Sequence, residues 1–532
     1  MSDALEKRIK KHIIGKPHRF LAVSPLGFEQ ALSKELESIL GESATERQHS
    51  TEDGKVEFST KLTEAWKVVA VSRIANRVLM EVTSFKAENF RELEKKASDI
   101  PWELYLDEIT GNALQTRDER EAPSKSINIH VTCKHSRLYH SDAIAERLYN
   151  VITPSNIPQS EASSEGKARP HTPKPDTSGD PIAQNLYVNF LDDRCTIWLD
   201  LAGEELYKRG FERFVNDAPL KETIASAMIF EALHFLPSTS YCLLDLMSGS
   251  GTFSLEAACI ANKIIPGTCR DFALKHQPAF KEATWNFIIR QKTRDDKCVG
   301  RMSRPCLHGH DRVQHLGLER SDNPKTNSAT ATLASHVIAQ AHDNIGSVMP
   351  DCKPSVATLA SHVIAQAQCE AIHQPIIAKI ITSDISERAV NIIKHNVECS
   401  PLANISPAPI TPQQKDFFSY TAKEIADACG DASPVLVLNP PYGKRLDFDA
   451  PKLYTQIGKK LTELARNLHH FKKDFTVAIL APKDDTRDGA RYTCTANLLH
   501  ECPALSPENN SAAKRIVTSH GGFSLNAFFA TI

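Results

Sequence analysis

The 532-residue sequence contains no apolar run of the about 20 residues that a membrane-spanning helix requires. Its first residues, MSDALEKRIKKH, lack the apolar segment of a secretory signal. The 13 cysteines include no CxxC pair, and their odd number argues against a disulfide framework. We therefore expect a cytoplasmic protein with no membrane partner.

An excess of charge of one sign is also missing. The chain has 63 Lys and Arg against 65 Asp and Glu, a net charge of −2 at pH 7. It thus lacks the strongly basic composition of many nucleic-acid-binding proteins. Basic residues do cluster near the start and again around residue 210, but such clusters are usually solvated surface. Charge alone leaves nucleic-acid binding open.

The order of strand-like and helix-like segments divides the chain into two parts. Residues 1–205 mix short strand-like runs with amphipathic helices, and Asp-Asp-Arg at 192–194 predicts a hairpin between two of the strands. Residues 154–181, rich in Pro, Ser, Thr and Gly, predict a long exposed loop or a disordered segment. From residue 206 onward, strands alternate with helical stretches, which predicts a parallel α/β sheet. An insertion at about 290–376 interrupts this second part, and in it ATLASHVIAQA occurs twice, at 331–341 and 357–367.

A glycine-containing turn separates a buried strand from a helix in the second part. In YCLLDLMSGSGTFSLEAACIA, Asp245 ends the strand, Gly249 and Gly251 form the turn, and Thr252 begins the helix. Glycines there let the backbone turn tightly and approach a ligand, whose negative end can face the first N–H groups of the helix. Taken alone, the motif is equally compatible with a plain tight turn.

Two acidic residues and an Asn-Pro-Pro-Tyr motif follow on later strands. Asp384 ends the run AKIITSD, where its carboxylate can bind the hydroxyls of a ribose or cap the next helix. Asp416, in QQKDFF, suits an adenine amino group or lies in a surface turn. VLVLNPPY then places Asn439, Pro440 and Tyr442 after a buried strand. Together and in this order, these features predict a site for a nucleoside cofactor.

The motifs LDLMSGSGT, SDISERAV, KDFF and NPPYGKRL resemble those of class I S-adenosylmethionine-dependent methyltransferases that modify exocyclic amines. The N-terminal part adds FLAVSPLGFEQALSKEL, RIANRVLMEV, VTCKHSRLYHSDAIAERL and LDLAGEELYKRGFER. With these, the chain resembles the THUMP-domain ribosomal RNA large-subunit methyltransferases of type L. The resemblance covers most of the chain apart from 154–181 and about 290–376.

This resemblance implies a Rossmann-like class I methyltransferase domain at 206–532, preceded by an α+β ferredoxin-like and THUMP RNA-binding region at 1–205. The implied reaction transfers a methyl group from S-adenosylmethionine to the exocyclic 2-amino group of a guanine in 23S ribosomal RNA. A guanine in another RNA such as tRNA is one alternative. An RNA-binding protein with an inactive methyltransferase fold is the other. No metal is expected in the chemistry.

The resemblance also gives roles to the motif residues. The side-chain oxygen of Asn439 and the carbonyl of Pro440 are expected to accept the two N–H bonds of the amine, while Tyr442 stacks on the base. The cofactor is expected to contact the glycine turn and the acidic positions, namely Asp245, Gly249, Gly251, Thr252, Asp384 and Asp416.

Selection of one guanine among hundreds must come from outside the catalytic pocket. We expect the first 200 residues to grip a folded RNA element through its phosphates and shape. The candidates for contacts to the RNA backbone lie at the junction of the two parts: Lys208, Arg209 and Arg213.

Two features depart from the family pattern. The chain ends about 90 residues after its NPPY motif, too soon for the second methyltransferase domain that bacterial members often carry. The insertion also contains CLHGHDR, whose Asp311 imitates the ribose-binding acid. We favour Asp384 for that role, because a buried strand precedes it and a helix follows it.

Overall fold

The structure is a computed structural model that describes residues 2–41, 46–48, 54–107, 127–153, 184–215, 219–235, 240–290, 376–442, 449–484 and 493–532. The expected loop at 154–181, the two copies of ATLASHVIAQA and Asp311 lie outside these residues. Within the described ranges, none of the helices combines the length and apolarity needed to cross a membrane.

Residues from the first 200 positions form a seven-stranded sheet in the order β2-β3-β1-β4-β7-β6-β5. Its strands are β1 Pro17–Val23, β2 Glu46–Gln48, β3 Lys55–Lys61, β4 Arg77–Lys86, β5 Ile127–Lys134, β6 Gln184–Leu191 and β7 Arg194–Asp200. The helices are α1 Asp3–Ile9, α2 Glu29–Leu40, α3 Leu62–Val71, α4 Phe90–Ser98 and α5 Ser141–Ile152. All neighbouring strands are antiparallel except β5 and β6, which are parallel.

The residue pattern explains this sheet. Strand β6 alternates buried and half-buried positions, as expected where one face packs on helices and the other is more open. Asp192 and Asp193 connect β6 to β7 with φ values of 49° and 61°, the left-handed conformation that a two-residue hairpin needs. The hairpin predicted at Asp-Asp-Arg is therefore confirmed.

The second sheet also has seven strands, in the order β10-β9-β8-β11-β12-β14-β13. Its strands are β8 Ser240–Asp245, β9 Ile376–Asp384, β10 Gln413–Gln414, β11 Ser433–Leu438, β12 Thr476–Pro482, β13 Lys514–His520 and β14 Phe523–Thr531. The helices are α6 Glu222–Leu233, α7 Thr252–Ala261, α8 Glu387–Glu398, α9 Ala422–Cys429, α10 Ala450–His470 and α11 Cys494–Glu501. Strands β8 to β12 are parallel, whereas β14 runs antiparallel to β12 and β13.

The strand order reverses between β8 and β11. From β8 the chain proceeds to β9 and β10 on one side, and it then returns to β11 on the other side. In parallel α/β sheets, ligands bind beyond the carboxyl ends of the strands at such a reversal. The glycine turn after β8 and the NPPY motif after β11 both lie at this place.

The two sheets share one hydrophobic core. Phe20 and Trp66, from the first sheet and its helices, belong to the same buried cluster as Met228 and Phe529, from the second. Separating the two parts would expose this apolar surface to water, so neither part is expected to keep its full stability alone.

A buried ion pair lies at the same boundary. The Arg209 side chain donates to both carboxylate oxygens of Glu256 in α7, at 3.0 and 3.1 Å, and to the backbone carbonyl of Arg73 at 2.9 Å. Burial alone would raise the pKa of the Glu256 carboxyl, but Arg209 and Arg73 hold that pKa below its ordinary value. Arg209 is 5% exposed, so the expectation that it contacts RNA is corrected: it fastens α7 to the N-terminal part.

We predict that Arg209→Ala lowers the free energy of unfolding of the full-length protein by about 3 kcal/mol or more, because Glu256 would remain buried with its best partner removed. Lys208→Ala is the matched control, since Lys208 pairs with Glu204 at the surface and its removal should cost about 1 kcal/mol or less. Urea-induced unfolding of both variants makes the comparison. Equal unfolding midpoints would contradict the assigned role of Arg209.

Candidate active site

The turn after β8 is held in place by the carboxylate of Asp245. This group is fully buried and accepts hydrogen bonds from the Ser254 backbone N–H at 3.1 Å and from the Ser254 hydroxyl at 2.6 Å. Burial, with a further contribution from the negative charge of Asp384, raises the pKa of Asp245 to about 7. Asp245 therefore anchors the first turn of α7 from below.

Both glycines of the turn have left-handed backbone conformations. Gly249 has φ +55° and Gly251 has φ +78°. A side chain at Gly251 would come within 3.0 Å of the Ile393 side chain in α8, whereas one at Gly249 would meet nothing within 4 Å. Gly251 is thus needed for close packing of the turn on α8, and Gly249 borders open space into which a ligand can fit.

Asp384 lies beside this turn at the end of β9. Its carboxylate accepts one hydrogen bond from the Gly249 N–H and one from the Ser386 N–H, each at 2.9 Å. A carboxylate offers about four acceptor positions, so two backbone bonds leave room for ligand hydroxyls. The next residue, Ile385, is 67% exposed and offers an apolar surface that the sequence analysis did not single out.

Asp416 follows the short strand β10, next to β9 in the sheet. Its side chain accepts from the Phe418 N–H at 3.1 Å and so caps a turn of 3₁₀-helix. The structure thus places Asp416 in a turn shortly after a strand, and its contact to an adenine amino group stays a prediction. The carboxylate is half-buried and lies on the same side of the reversal as Asp384.

Asn439 comes immediately after β11, at the opposite side of the reversal. Its Oδ1 atom is buried and accepts no hydrogen bond from the described residues. A buried acceptor left unpaired costs about 1–3 kcal/mol, so an atom of this kind in a native fold calls for a partner. The amide oxygen is therefore available to a donor that the described chain itself does not supply.

The neighbouring prolines and tyrosine are fixed by two contacts. The Tyr454 hydroxyl, buried in α10, donates to the Leu480 carbonyl at 3.0 Å and lies 3.5 Å from the Pro440 carbonyl oxygen. The Tyr442 ring meets Phe523 edge to face, with centroids 5.8 Å apart and planes at 72°. Phe523 begins β14 after Gly521 and Gly522, and sequence reasoning missed it.

The junction residues have other roles than the expected contacts to RNA. The half-buried Arg213 pairs with Glu222 and donates to the Thr252 hydroxyl at 2.9 Å. Arg213 thus holds the glycine turn instead of facing solvent. The expectation that Arg213 contacts RNA is therefore corrected, as it is for Arg209. Lys208 alone of the three is at the surface, paired with Glu204 at 2.7 Å.

A cavity of about 690 Å³ lies beside the same strands. It runs along the outer edge of β9 and is lined by residues such as Ile377, Lys379, Pro407 and Tyr420. Its lining includes neither Asn439 nor Asp384. Side-chain geometry at the strand ends, and not the size of this cavity, therefore defines the candidate site.

Solved structures share this fold over nearly the whole chain. SMU.472, a methyltransferase candidate crystallised in complex with SAH, aligns with 97% of this chain and 98% of its own, with a TM-score of 0.58 and 19% identity. TrmN from Thermus thermophilus aligns with 97% of this chain and 100% of its own, with a TM-score of 0.50 and 13% identity. At these identities the likeness establishes a shared fold alone.

Sequence comparison identifies the family. The RMKL-like methyltransferase domain (UPF0020) matches residues 209–482, more than half of the chain, and the RlmL ferredoxin-like domain matches residues 19–79. The chain belongs to the RMKL-like methyltransferase domain family. The expected class I fold, the ferredoxin-like N-terminal region and the use of S-adenosylmethionine are confirmed by this membership, whereas the THUMP region stays a prediction.

Curated relatives include ribosomal RNA methyltransferases. The chain is 26% identical over 302 residues to the ribosomal RNA large subunit methyltransferase K/L of Syntrophotalea carbinolica, which covers 56% of this chain but 37% of that protein. It is also 26% identical over 276 residues to YpsC of Bacillus subtilis, a candidate RNA methyltransferase, covering 51% of this chain and 62% of that protein. The match to the K/L protein thus spans little more than a third of the relative's length.

Proposed function

We propose that the protein transfers a methyl group from S-adenosylmethionine to the exocyclic 2-amino group of a guanine in 23S ribosomal RNA. The observation that carries the proposal is the buried Oδ1 of Asn439 beyond the carboxyl end of β11, which has no hydrogen-bond partner among the described residues. The names of the curated relatives support ribosomal RNA as the substrate class.

The residues at the strand ends fit the cofactor. Gly249 borders open space, and the half-exposed Asp384 beside it has acceptor capacity left for the hydroxyls of a ribose. Ile385 offers an apolar surface for a base, and Asp416 a carboxylate for an exocyclic amine. When bound, the cofactor supplies an electrophilic methyl group. Asp245 and Thr252 would act indirectly, by fixing the turn through Ser254 and Arg213.

The groups after β11 suit an aromatic amine. The lone pair of a guanine amine is delocalised into the ring, which makes the nitrogen a poor nucleophile. Hydrogen bonds from its two N–H groups to Asn439 Oδ1 and the Pro440 carbonyl would direct the lone pair towards the methyl donor. Tyr442 would hold the plane of the base. After transfer, the nitrogen releases one of its two protons. Alignment and electrostatics of this kind can supply most of the acceleration of an in-line displacement.

The N-terminal part is proposed to hold the RNA. Residues 1–205 would form this RNA-binding part and residues 206–532 the catalytic part. Exposed lysines at Lys7, Lys10, Lys11 and Lys16, on and after α1, give this region a basic surface. Arg19, nearby, is instead neutralised by Glu57 and Glu81. We propose these lysines, with Lys208, as contacts to RNA phosphates in place of Arg209 and Arg213.

The proposed location is the cytoplasm. All nine cysteines among the described residues are free thiols, which suits a reducing compartment, where ribosomal RNA also occurs.

Asp384→Ala should weaken binding of S-adenosylhomocysteine by about 2 kcal/mol, roughly 30-fold, because charge-assisted bonds to the cofactor and to Gly249 are lost. Asp431→Ala, an exposed carboxylate at the other end of β11, is the control and should bind as the wild type does. Calorimetry on both variants measures the affinities. Unchanged affinity in Asp384→Ala would move the role to Asp311 or remove it.

Asn439→Ala should leave cofactor affinity nearly unchanged yet lower the single-turnover methylation rate by about 10²-fold or more, because the lost interaction matters mainly in the transition state. The exposed Asn509→Ala serves as the matched control and should keep the wild-type rate. Rapid-quench assays with labelled cofactor and unmodified ribosomal RNA provide the rates. If Asn439→Ala keeps most of its rate, the proposed role in holding the amine is wrong.

Replacing Lys10 and Lys11 with Ala should weaken RNA binding and flatten its salt dependence. Each lost phosphate contact should reduce the slope of log affinity against log salt by about 0.7–0.9. The control replaces Lys459 and Lys472, two exposed lysines of the catalytic part. The full-length protein is used for both, because the shared core makes a truncated protein a poor comparison. Identical slopes for the two double variants would place the RNA contact elsewhere.

A further inference from the structure

Three metal-ligating side chains meet on the outer face of α8, apart from the groups proposed to touch the target base. Glu212 comes from the junction segment, His395 from the last turn of α8, and Cys399 from the residue that ends this helix. Their ligand atoms all lie within 4.8 Å of one another, and Cys399 Sγ is 3.4 Å from His395 Nε2. Glu212 is exposed, and the other two are half-buried.

The spacing fits a tetrahedral ion. Residues four apart on a helix lie on one face, which brings the imidazole and the thiol together. With zinc–sulfur bonds of about 2.3 Å and zinc–nitrogen bonds of about 2.0 Å, the two ligand atoms of a tetrahedral site lie about 3.5 Å apart. The observed distance of 3.4 Å is therefore close to that of a formed site.

The surrounding structure holds the ligands in place. The fully buried Asn396 accepts from the Phe214 N–H at 2.8 Å and donates to the Phe214 carbonyl at 2.9 Å, which fastens the segment carrying Glu212 to α8. The Phe214 ring stacks on the His395 imidazole, with centroids 4.0 Å apart and planes at 8°. In sites that bind a metal tightly, neighbouring residues typically orient the side chains that bind the metal in this way.

We propose that Glu212, His395 and Cys399 bind one divalent transition-metal ion, preferably Zn²⁺, with water as the fourth ligand. A thiolate, an imidazole and a carboxylate are the donor types that this ion selects. On binding, the sulfur–hydrogen bond of Cys399 breaks, the sulfur keeps the electron pair for the metal, and the proton passes to solvent.

The site would clip the junction segment to α8. Arg213, next to Glu212, donates to the Thr252 hydroxyl in the glycine turn, so the same segment touches the proposed cofactor site. The ion takes no part in methyl transfer. It would restrain a segment that positions the turn, a role that goes beyond the proposed reaction.

Cobalt substitution tests the site in the full-length, reduced protein after treatment with a chelator. Co²⁺ should give a thiolate-to-cobalt charge-transfer band and intense tetrahedral d–d bands, which added Zn²⁺ removes. Cys399→Ser should abolish the charge-transfer band, and Glu212→Gln should weaken Co²⁺ binding by about 10-fold or more. Glu212→Gln changes an exposed side chain, so it tests the site even if Cys399→Ser does not fold.

Two control variants separate this site from other thiols. Cys269→Ser removes an exposed cysteine outside the cluster and should leave the spectrum unchanged. Cys306→Ser tests the run CLHGH, another place in the sequence where a cysteine and histidines lie close together. The proposal is overturned if wild-type protein gives no charge-transfer band, which would leave only a Cys399–His395 hydrogen bond. It is also overturned if the band persists in Cys399→Ser or disappears in Cys306→Ser. Binding of Co²⁺ by Glu212→Gln with the wild-type affinity would overturn it as well.

Discussion

The parallel pairing of β8 with β11 is the constraint on which the candidate site depends. Leu244 lies opposite Leu436 in this pair, so the two strands end at nearly the same level of the sheet. The glycine turn and the Asn-Pro-Pro-Tyr motif are almost 190 residues apart in the chain, yet this register places them side by side. Both strands are buried on both faces, which allows no slip of register without moving apolar side chains into unsuitable surroundings.

A second constraint joins the N-terminal part to the same edge of the sheet. Gly27, in the turn before α2, lies against β13, since a side chain there would come within 2.3 Å of the Val517 carbonyl oxygen. Strand β13 continues through the Gly521–Gly522 turn to Phe523, which contacts Tyr442. Together with the hydrogen bond from Arg209 to the Arg73 carbonyl, this gives direct packing between the proposed RNA-holding part and both halves of the candidate site. RNA bound by the first part would thus lie on a rigid neighbour of the catalytic groups.

Local sequence was sufficient for the features that depend on neighbours in the chain. The apolar run before Asp245, the glycines after it and the Asp-Asp hairpin each carry their own conformational signal, and the structure has the expected turns there. The placement of Asp384 beside Gly249 also agrees with the preference for this residue over Asp311, although the role of Asp384 stays a prediction.

Features that depend on distant partners could not be predicted in this way. Lys208 and Arg209 are adjacent basic residues that look alike in the sequence. In the structure Lys208 is exposed, whereas Arg209 is buried against Glu256. The packing of α7 against the N-terminal part determines which of the two is buried. Glu256 offered a signal that was not used, because a lone carboxylate in the apolar run FSLEAACIA suggests a buried partner. The Gly-Gly pair between two strand-like runs was likewise a sequence signal for the β13–β14 hairpin. That signal could have identified Phe523.

The identity of the methylated nucleoside shows whether the carboxyl end of β11 presents an acceptor for a guanine 2-amine. Full-length protein would be incubated with methyl-labelled S-adenosylmethionine and 23S ribosomal RNA from cells that lack the gene, and the RNA then digested to nucleosides. We expect the label in N²-methylguanosine, and we expect no label when inosine replaces guanosine at the same site. Label in N⁶-methyladenosine, or no label in the RNA at all, would contradict this role of the carboxyl end of β11.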